Sequence, residues 1–152
     1  MTERGRILVV DDEPSARSAL QQLLSLEGYE VESAADGRAA LLKLGSFEPD
    51  VVLTDLKMPG IDGLTLVEQG RADSPHTAFL VMTAFGSVDS AVAAIRLGAE
   101  NYVTKPLDMD AVTALVARAV EHAQLRRDSA RLREQLGQRL DIGRKEFLDT
   151  PV

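Results

Sequence analysis

Short apolar runs rich in β-branched residues alternate along this chain with helix-like segments of about ten residues. The runs span residues 7–10, 29–33, 51–54, 78–82 and 101–103. Strands that are joined by helices must run parallel, so the alternation predicts an α/β fold: a doubly wound, five-stranded parallel sheet with helices on both faces. The first and third runs are apolar almost throughout, which is typical of strands buried on both faces.

Helix boundaries are marked by capping residues. Asp36, Ser87 and Asp108 stand at expected N-caps, and Gly28 and Gly98 stand where helices should end. Between these signals, apolar side chains fall largely on one helical face. The segments with this pattern include residues 16–26, 39–47 and 88–97.

The fifth helix is predicted to be unusually long, from Met109 to about Leu140. A narrow leucine stripe at Leu125, Leu132 and Leu136 suggests a coiled-coil seam. A solvated single helix is the alternative, because His122 and Ser129 occupy seam positions. Residues 141–152 show no clear element. We therefore predict a domain over residues 1–122, followed by a helical coiled-coil linker and irregular tail over 123–152.

Charge and cysteine content exclude several functional classes. Residues 1–120 hold ten Lys and Arg against eighteen Asp and Glu, a net charge of −8, whereas residues 121–152 carry +1. So acidic a body argues against a nucleic-acid-binding surface. The absence of cysteine excludes disulfides and thiolate zinc sites. Apolar runs fall far short of the roughly 20 residues of a membrane-spanning helix. We expect a cytoplasmic protein with no membrane contact.

Polar residues directly follow four of the predicted strands. They are Asp11, Asp12 and Glu13 after the first strand, Asp55 after the third, Thr83 after the fourth, and Lys105, which Pro106 follows, after the fifth. Individually each has an ordinary explanation as a helix cap, a turn former or an exposed loop charge. In a sheet of order 2-1-3-4-5, however, ligands bind outside the carboxyl ends of the strands. The joint pattern therefore predicts one site.

The chemistry of that site follows from its ligand types. Asp11, Asp12 and Asp55 would repel one another unless a cation lay between them. Oxygen ligands of this kind select Mg²⁺ or Mn²⁺. The hydroxyl of Thr83 and the ammonium of Lys105 suit phosphoryl oxygens, and a carboxylate can itself attack phosphorus. We predict metal-assisted phosphoryl transfer to an aspartate.

Four segments together resemble the receiver domain of bacterial two-component response regulators: residues 7–14, 50–64, 81–85 and 98–106. The resemblance covers about residues 4–122 and implies a flavodoxin-like (βα)5 fold. Residues 84–95 and the long fifth helix look most like the nitrogen-regulatory class, which controls sigma-54 transcription.

The resemblance implies a role for each strand-end residue. Asp55 would accept a phosphoryl group from a sensor histidine kinase. Mg²⁺ would be held by Asp11, Asp12, Asp55 and the backbone carbonyl of Lys57. Thr83 and Lys105 would bind the phosphoryl oxygens.

Two further features are implied by the family. Tyr102 would be the switch aromatic, turning inward when Thr83 moves, although a packing role is the ordinary alternative. The Lys105–Pro106 peptide would be cis.

The readout of the switch would be a homodimer, formed through the fourth and fifth helices and the linker coiled coil. This homodimer would control transcription.

The ATPase domain typical of the resembled class has no counterpart in the sequence. The chain has no GxxxxGK[ST] loop, so a downstream ATPase and DNA-binding region is expected to be missing and the chain to be a fragment. No enzymatic activity is expected beyond self-phosphorylation and slow autodephosphorylation. One alternative, an aspartate-nucleophile phosphatase, lacks a second acid two residues after Asp55. The other is a phosphate-independent scaffold acting through the coiled coil.

Overall fold

The structure, a computed structural model, describes residues 4–84 and 87–148, with residues 138–148 described as backbone. Phe85, in one family-like segment, and the last four residues of the predicted tail lie outside the described residues. Five strands alternate with five helices, as predicted. They are β1 (Arg6–Val10), α1 (Pro14–Leu26), β2 (Glu30–Ala34), α2 (Gly37–Phe47), β3 (Val51–Asp55), α3 (Gly63–Asp73), β4 (Ala78–Thr83), α4 (Val88–Leu97), β5 (Asn101–Thr104) and α5 (Met109–Leu148).

The five strands form one parallel sheet in the order β2-β1-β3-β4-β5. This confirms the predicted fold class and strand order. The strand order reverses between β1 and β3, which lie side by side with Val10 opposite Thr54. The residues directly after β1 therefore meet the last residue of β3 at the carboxyl edge of the sheet.

Alternate strand residues pack on opposite faces of the sheet, because successive side chains of a strand point in opposite directions. On one face, Ile7 and Leu53 pack with residues of α1 and α5. On the other, Leu8 and Phe79 pack with residues of α2, α3 and α4. Both layers are buried and apolar, so the strand ends that carry the polar residues are held on a rigid support.

Four of the five predicted boundary residues act as expected at the helix ends. The Asp36 carboxylate accepts a hydrogen bond from the backbone of α2, and the Asp108 carboxylate accepts from the first turn of α5. Gly28 and Gly98 adopt left-handed backbone with φ of 98° and 115°, which glycine adopts without steric cost. Ser87 precedes α4 but its side chain forms no capping bond.

Helix α5 is longer than the sequence pattern predicted. It continues to Leu148 rather than ending near Leu140, since residues 141–148 contain no proline and several good helix formers. Ala123 is fully buried against the sheet, whereas Leu125 and the residues from 128 to 136 are largely exposed. The predicted division of the chain near residue 122 stays a prediction. Across the described ranges, no helix is both long and apolar enough to cross a bilayer.

Candidate functional site

Three carboxylates meet at the carboxyl edge of the sheet. Asp11 and Asp12 follow β1, and Asp55 ends the neighbouring strand β3. Each offers one oxygen, and these oxygens all lie within 4.8 Å of one another. The structure thus brings together the three acidic residues that the sequence predicted to share a site.

Asp11 is the buried member of the group, with 1% of its surface exposed. Its Oδ1 accepts a hydrogen bond of 3.0 Å from the backbone N–H of Glu13. Its Oδ2 is buried and has no hydrogen-bond partner within the described part of the chain. Burial raises the pKa of Asp11, as do the charges of Asp55 and Asp12, against the opposing effects of the Glu13 N–H and Lys105. A buried carboxylate oxygen without a partner, facing two more carboxylates, fits a divalent cation.

Lys105 supplies positive charge to the same edge. Its Nζ lies 2.8 Å from Oδ2 of Asp55 and 3.7 Å from Oδ2 of Asp11. Burial lowers the pKa of Lys105, but the hydrogen bond to Asp55 and the charges of Asp55, Asp11 and Glu13 outweigh it, so the pKa is raised. The Lys105 ammonium is therefore charged at neutral pH. The Lys105–Pro106 peptide is cis.

Asp55 lies beside a small cleft with a volume of about 150 Å³. Its Oδ1 accepts a bond of 3.2 Å from the backbone N–H of Lys57. Several of the residues that line the cleft carry hydroxyl or ammonium groups, among them Thr83, Ser87, Ser90 and Lys105. A phosphoryl group attached to Asp55 would thus have several donors around it.

Thr83 is buried, and its hydroxyl is hydrogen-bonded to the neighbouring strand β5. The Oγ1 donates to the carbonyl of Val103 on β5 at 3.4 Å, which is long for a hydroxyl hydrogen bond and therefore weak. The Thr83 hydroxyl can therefore leave its bond to the Val103 carbonyl at little cost. Tyr102, the residue before Val103, is 42% exposed.

Arg17 lies near the site and is not among the residues that the sequence predicted there. Arg17, in the second turn of α1, donates from Nη1 to the backbone carbonyl of Asp11 at 2.7 Å. This bond ties the β1–α1 connection to the helix that comes after it. An arginine six positions after Asp11 was the available signal, but an exposed helical arginine is common and points to no particular partner.

Removing the charge of Asp11 should stabilise the metal-free protein and remove its response to Mg²⁺. We expect Asp11→Asn to raise the unfolding free energy in EDTA by on the order of 1 kcal/mol, because the amide relieves burial and repulsion. The pKa of Asp11 is raised in the folded protein. The gain in unfolding free energy from Asp11→Asn is therefore absent at a pH below the ordinary aspartate pKa and complete at a pH above the raised pKa.

Thermal melts with EDTA and with Mg²⁺, repeated across pH, measure both effects. Asp73→Asn, an exposed change at the end of α3, is the control. A variant less stable than the parent in EDTA, or still stabilised by Mg²⁺, would contradict this account of Asp11.

Comparisons with known proteins agree with this geometry. Residues 7–117 match the family described as response regulator receiver domain. The chain is 38% identical to the regulatory protein AtoC of Escherichia coli K12 over 90% of its length, and 41% identical to the DNA-binding transcriptional regulator NtrC of Salmonella typhimurium over 80%. It superimposes on the receiver domain of NtrX from Brucella abortus with a TM-score of 0.73 and 34% identity, covering 76% of this chain and 98% of that one.

The matched relatives are much longer than this chain. It spans 30% of the length of AtoC and 26% of the length of NtrC. The similarity therefore concerns one part of those proteins and leaves most of their length unmatched. NtrC among the relatives confirms the expected likeness to the nitrogen-regulatory class.

Proposed function

Because this chain belongs to the response regulator receiver domain family, it is the receiver of a phosphorylation-dependent signalling switch, and we propose that Asp55 is its phosphoacceptor. The observation that carries the proposal is the meeting of Asp11, Asp12 and Asp55 with Lys105 at the carboxyl edge of the sheet. The phosphoryl donor is a sensor histidine kinase, as in two-component systems.

Asp11, Asp12, Asp55 and the backbone carbonyl of Lys57 would hold Mg²⁺. When bound, the ion neutralises the carboxylates and the charge that develops on the transferring phosphoryl oxygens. The Oδ2 of Asp11, which is buried and accepts no hydrogen bond among the described residues, supports this ligand set. Mn²⁺ suits the same oxygen ligands.

Transfer needs an Asp55 oxygen free to attack phosphorus. The carboxylate forms a P–O bond as the P–N bond of the phosphohistidine breaks, and the imidazole leaves. Lys105, 2.8 Å from Asp55 Oδ2, then moves its ion pair from the carboxylate to a phosphoryl oxygen. Positioning and electrostatic stabilisation account for most catalysis in such steps.

The switch is a change of partner by Thr83. Its hydroxyl leaves the Val103 carbonyl for a phosphoryl oxygen, because phosphorylation adds about −1.5 to −2 charge and three strong acceptors. Movement of Thr83 opens space next to β5 into which Tyr102, now 42% exposed, turns inward. The surface of α4 and β5 changes as a result.

Labelling by a small phosphodonor tests this function. We expect acetyl phosphate with Mg²⁺ to add one phosphoryl group, observed by intact-protein mass spectrometry and removed by hydroxylamine, which cleaves acyl phosphates. EDTA should prevent labelling. Equal labelling with and without Mg²⁺ would refute the metal's role, and a hydroxylamine-stable product would refute an acyl phosphate.

Two apolar surfaces support a homodimer as the output. Val88, Val92 and Ile95 are exposed along one side of α4, with helical spacing that makes a stripe. Leu125, Leu132 and Leu136 are 59%, 59% and 54% exposed on α5. Apolar stripes of this kind are typical of interaction surfaces. We propose dimerisation through the α4–α5 face and a coiled coil of the extended α5.

Dimerisation should depend on the leucine stripe. We expect light scattering to give a dimer mass for the parent. The double variant Leu125→Ser/Leu132→Ser should raise the dissociation constant of the dimer at least about tenfold, because the seam supplies the buried apolar area. Leu42→Ser, on an exposed leucine of α2 that lies outside both stripes, is the control. A monomeric parent, or a double variant that dimerises like the parent, would contradict the seam.

NtrC is a DNA-binding transcriptional regulator, and we propose that this receiver likewise controls transcription, through an output region that the longer relatives contain. Its chemistry would be limited to phosphorylation and slow dephosphorylation of its own Asp55. Dimer affinity that is indifferent to Mg²⁺ and beryllofluoride would favour a phosphate-independent scaffold instead.

A further inference from the structure

Two adjacent arginines on α5 contact carboxylates at the amino ends of the strands, whereas Asp55 lies at the carboxyl ends. The Nη1 of Arg126 lies 2.7 Å from Oε1 of Glu100, which directly precedes β5. Its Nε donates to the backbone carbonyl of His76, before β4, at 3.4 Å. The other Glu100 oxygen lies 3.1 Å from Nδ1 of His122, one turn earlier on the same helix.

The second arginine reaches a buried acid. The Nη1 of Arg127 lies 2.9 Å from Oδ1 of Asp50, an ion pair without the alignment of a hydrogen bond. Asp50 directly precedes β3 and is 3% exposed, and its Oδ2 accepts from the backbone N–H of Arg6 at 2.9 Å. A buried carboxylate that lost its cation would be left uncompensated. This pair therefore resists opening.

The position of the two contacts along α5 is distinctive. Ala123 is the last fully buried residue of α5 among those up to residue 137, whose side chains the structure describes, and the helix leaves the sheet just after Arg127. Neighbouring residues of a helix point about 100° apart. The arginines thus hold α5 from two directions, one toward the starts of β4 and β5 and the other toward the start of β3.

We propose that Arg126 and Arg127 form a two-point clamp that fixes the direction in which α5 leaves the receiver. With the clamp closed, the exposed part of α5 moves with the sheet as one rigid body. With it open, the helix pivots about its last buried turn. The proposed phosphoryl transfer is not needed for this inference, which is tested without a phosphodonor.

The clamp acts on a long lever. The ten residues from 128 to 137 extend about 15 Å beyond Arg127 at 1.5 Å per residue. A pivot of roughly 20° would displace the end of that segment by about 5 Å, on the geometry of a straight helix. Such a displacement is large enough to separate the leucine stripes of two helices that pack in a coiled coil.

Pulsed electron–electron resonance measures the helix direction. The chain has no cysteine, so Gln22→Cys on α1 and Glu134→Cys on α5 place two spin labels at exposed sites, the second off the leucine stripe. Labelled protein is diluted in a large excess of unlabelled protein so that only distances within one chain are recorded. Arg126→Gln/Arg127→Gln is compared with Arg131→Gln, an exposed arginine of α5 that makes no ion pair among the described residues.

We expect a narrow distance distribution for the parent and for Arg131→Gln, and one broader by several ångströms for the double variant, with unchanged helix content by circular dichroism. If the double variant loses helix, the charge swap Arg126→Glu/Glu100→Arg provides the test. Arg126→Glu alone and Glu100→Arg alone should each broaden the distance distribution, and the two changes combined should narrow it again. An unbroadened double variant, or a swapped pair as broad as its singles, would overturn the clamp.

Discussion

Asp55→Asn is expected to abolish labelling by acetyl phosphate and Mg²⁺, lowering the rate by about a thousandfold or more. The amide keeps the shape of the side chain, and its single oxygen can accept one of the two bonds that Lys57 and Lys105 donate to separate carboxylate oxygens, at 3.2 and 2.8 Å in the parent. It cannot form an acyl phosphate, because it has lost the anionic oxygen that attacks phosphorus. The loss is therefore chemical rather than structural.

Intact-protein mass spectrometry over time measures the rate, and circular dichroism verifies that the variant is folded. Asp73→Asn is again the matched control, an aspartate exposed on α3 and remote from the site. Peptide mapping of the labelled parent locates the phosphoryl group. Undiminished labelling of Asp55→Asn, or a phosphoryl group mapped to Asp11 or Asp12, would reject Asp55 as the acceptor.

Gly63→Ala is expected to reduce both stability and phosphoacceptance, although Gly63 makes no contact with the phosphoryl group in the proposed reaction. A Cβ built on Gly63, the first residue of α3, would lie 2.5 Å from the backbone oxygen of Asp55 and 2.6 Å from Cα of Leu56. Both are backbone atoms and cannot swing aside. The connection that carries Asp55 must shift to admit a methyl group.

We expect a loss of about 1–3 kcal/mol in unfolding free energy, the usual cost of overpacking, and a labelling rate lower by at least about tenfold, because small displacements of a reacting group are costly. Gly45→Ala on α2 is the control, since a Cβ there meets nothing within 4 Å. That change should leave labelling unchanged and stabilise the helix by roughly 0.5–1 kcal/mol. Chemical denaturation and labelling rates measure both variants; parent-like behaviour of Gly63→Ala would contradict the close approach.

Much of the fold was predictable because it is encoded locally. The alternation of apolar runs and helical segments depends on residues close in the chain, as do caps such as Asp36 and left-handed glycines such as Gly98. The end of α5 was not predicted correctly, because residues 141–148 have helical propensity without the apolar periodicity that marks a packed helix. Ser87 stands at a cap position, yet its hydroxyl makes no capping bond, and that depends on local geometry that residue type does not specify.

The convergence of the site was predictable, but its internal contacts were not. Asp11, Asp55 and Lys105 all lie at the carboxyl ends of parallel strands, so their meeting at one edge needed only the strand directions. That Asp11 is the buried acid, with an oxygen that accepts no hydrogen bond among the described residues, and that Thr83 donates to Val103, depends on the packing around each side chain. Residue types alone suggested the chemistry but not which groups are already paired.

Two contacts show where that division lies. The bonds of Lys105 to Asp55 and of Arg126 to His76 each join residues 50 positions apart. The sequence by itself determined that Lys105 and Asp55 meet, because the direction of parallel strands sends both residues to the same edge of the sheet; their bond itself came from the structure. Only the tertiary structure decided the second, because the side chain that a helix turns toward the sheet depends on how the whole helix rotates and slides as its apolar face packs.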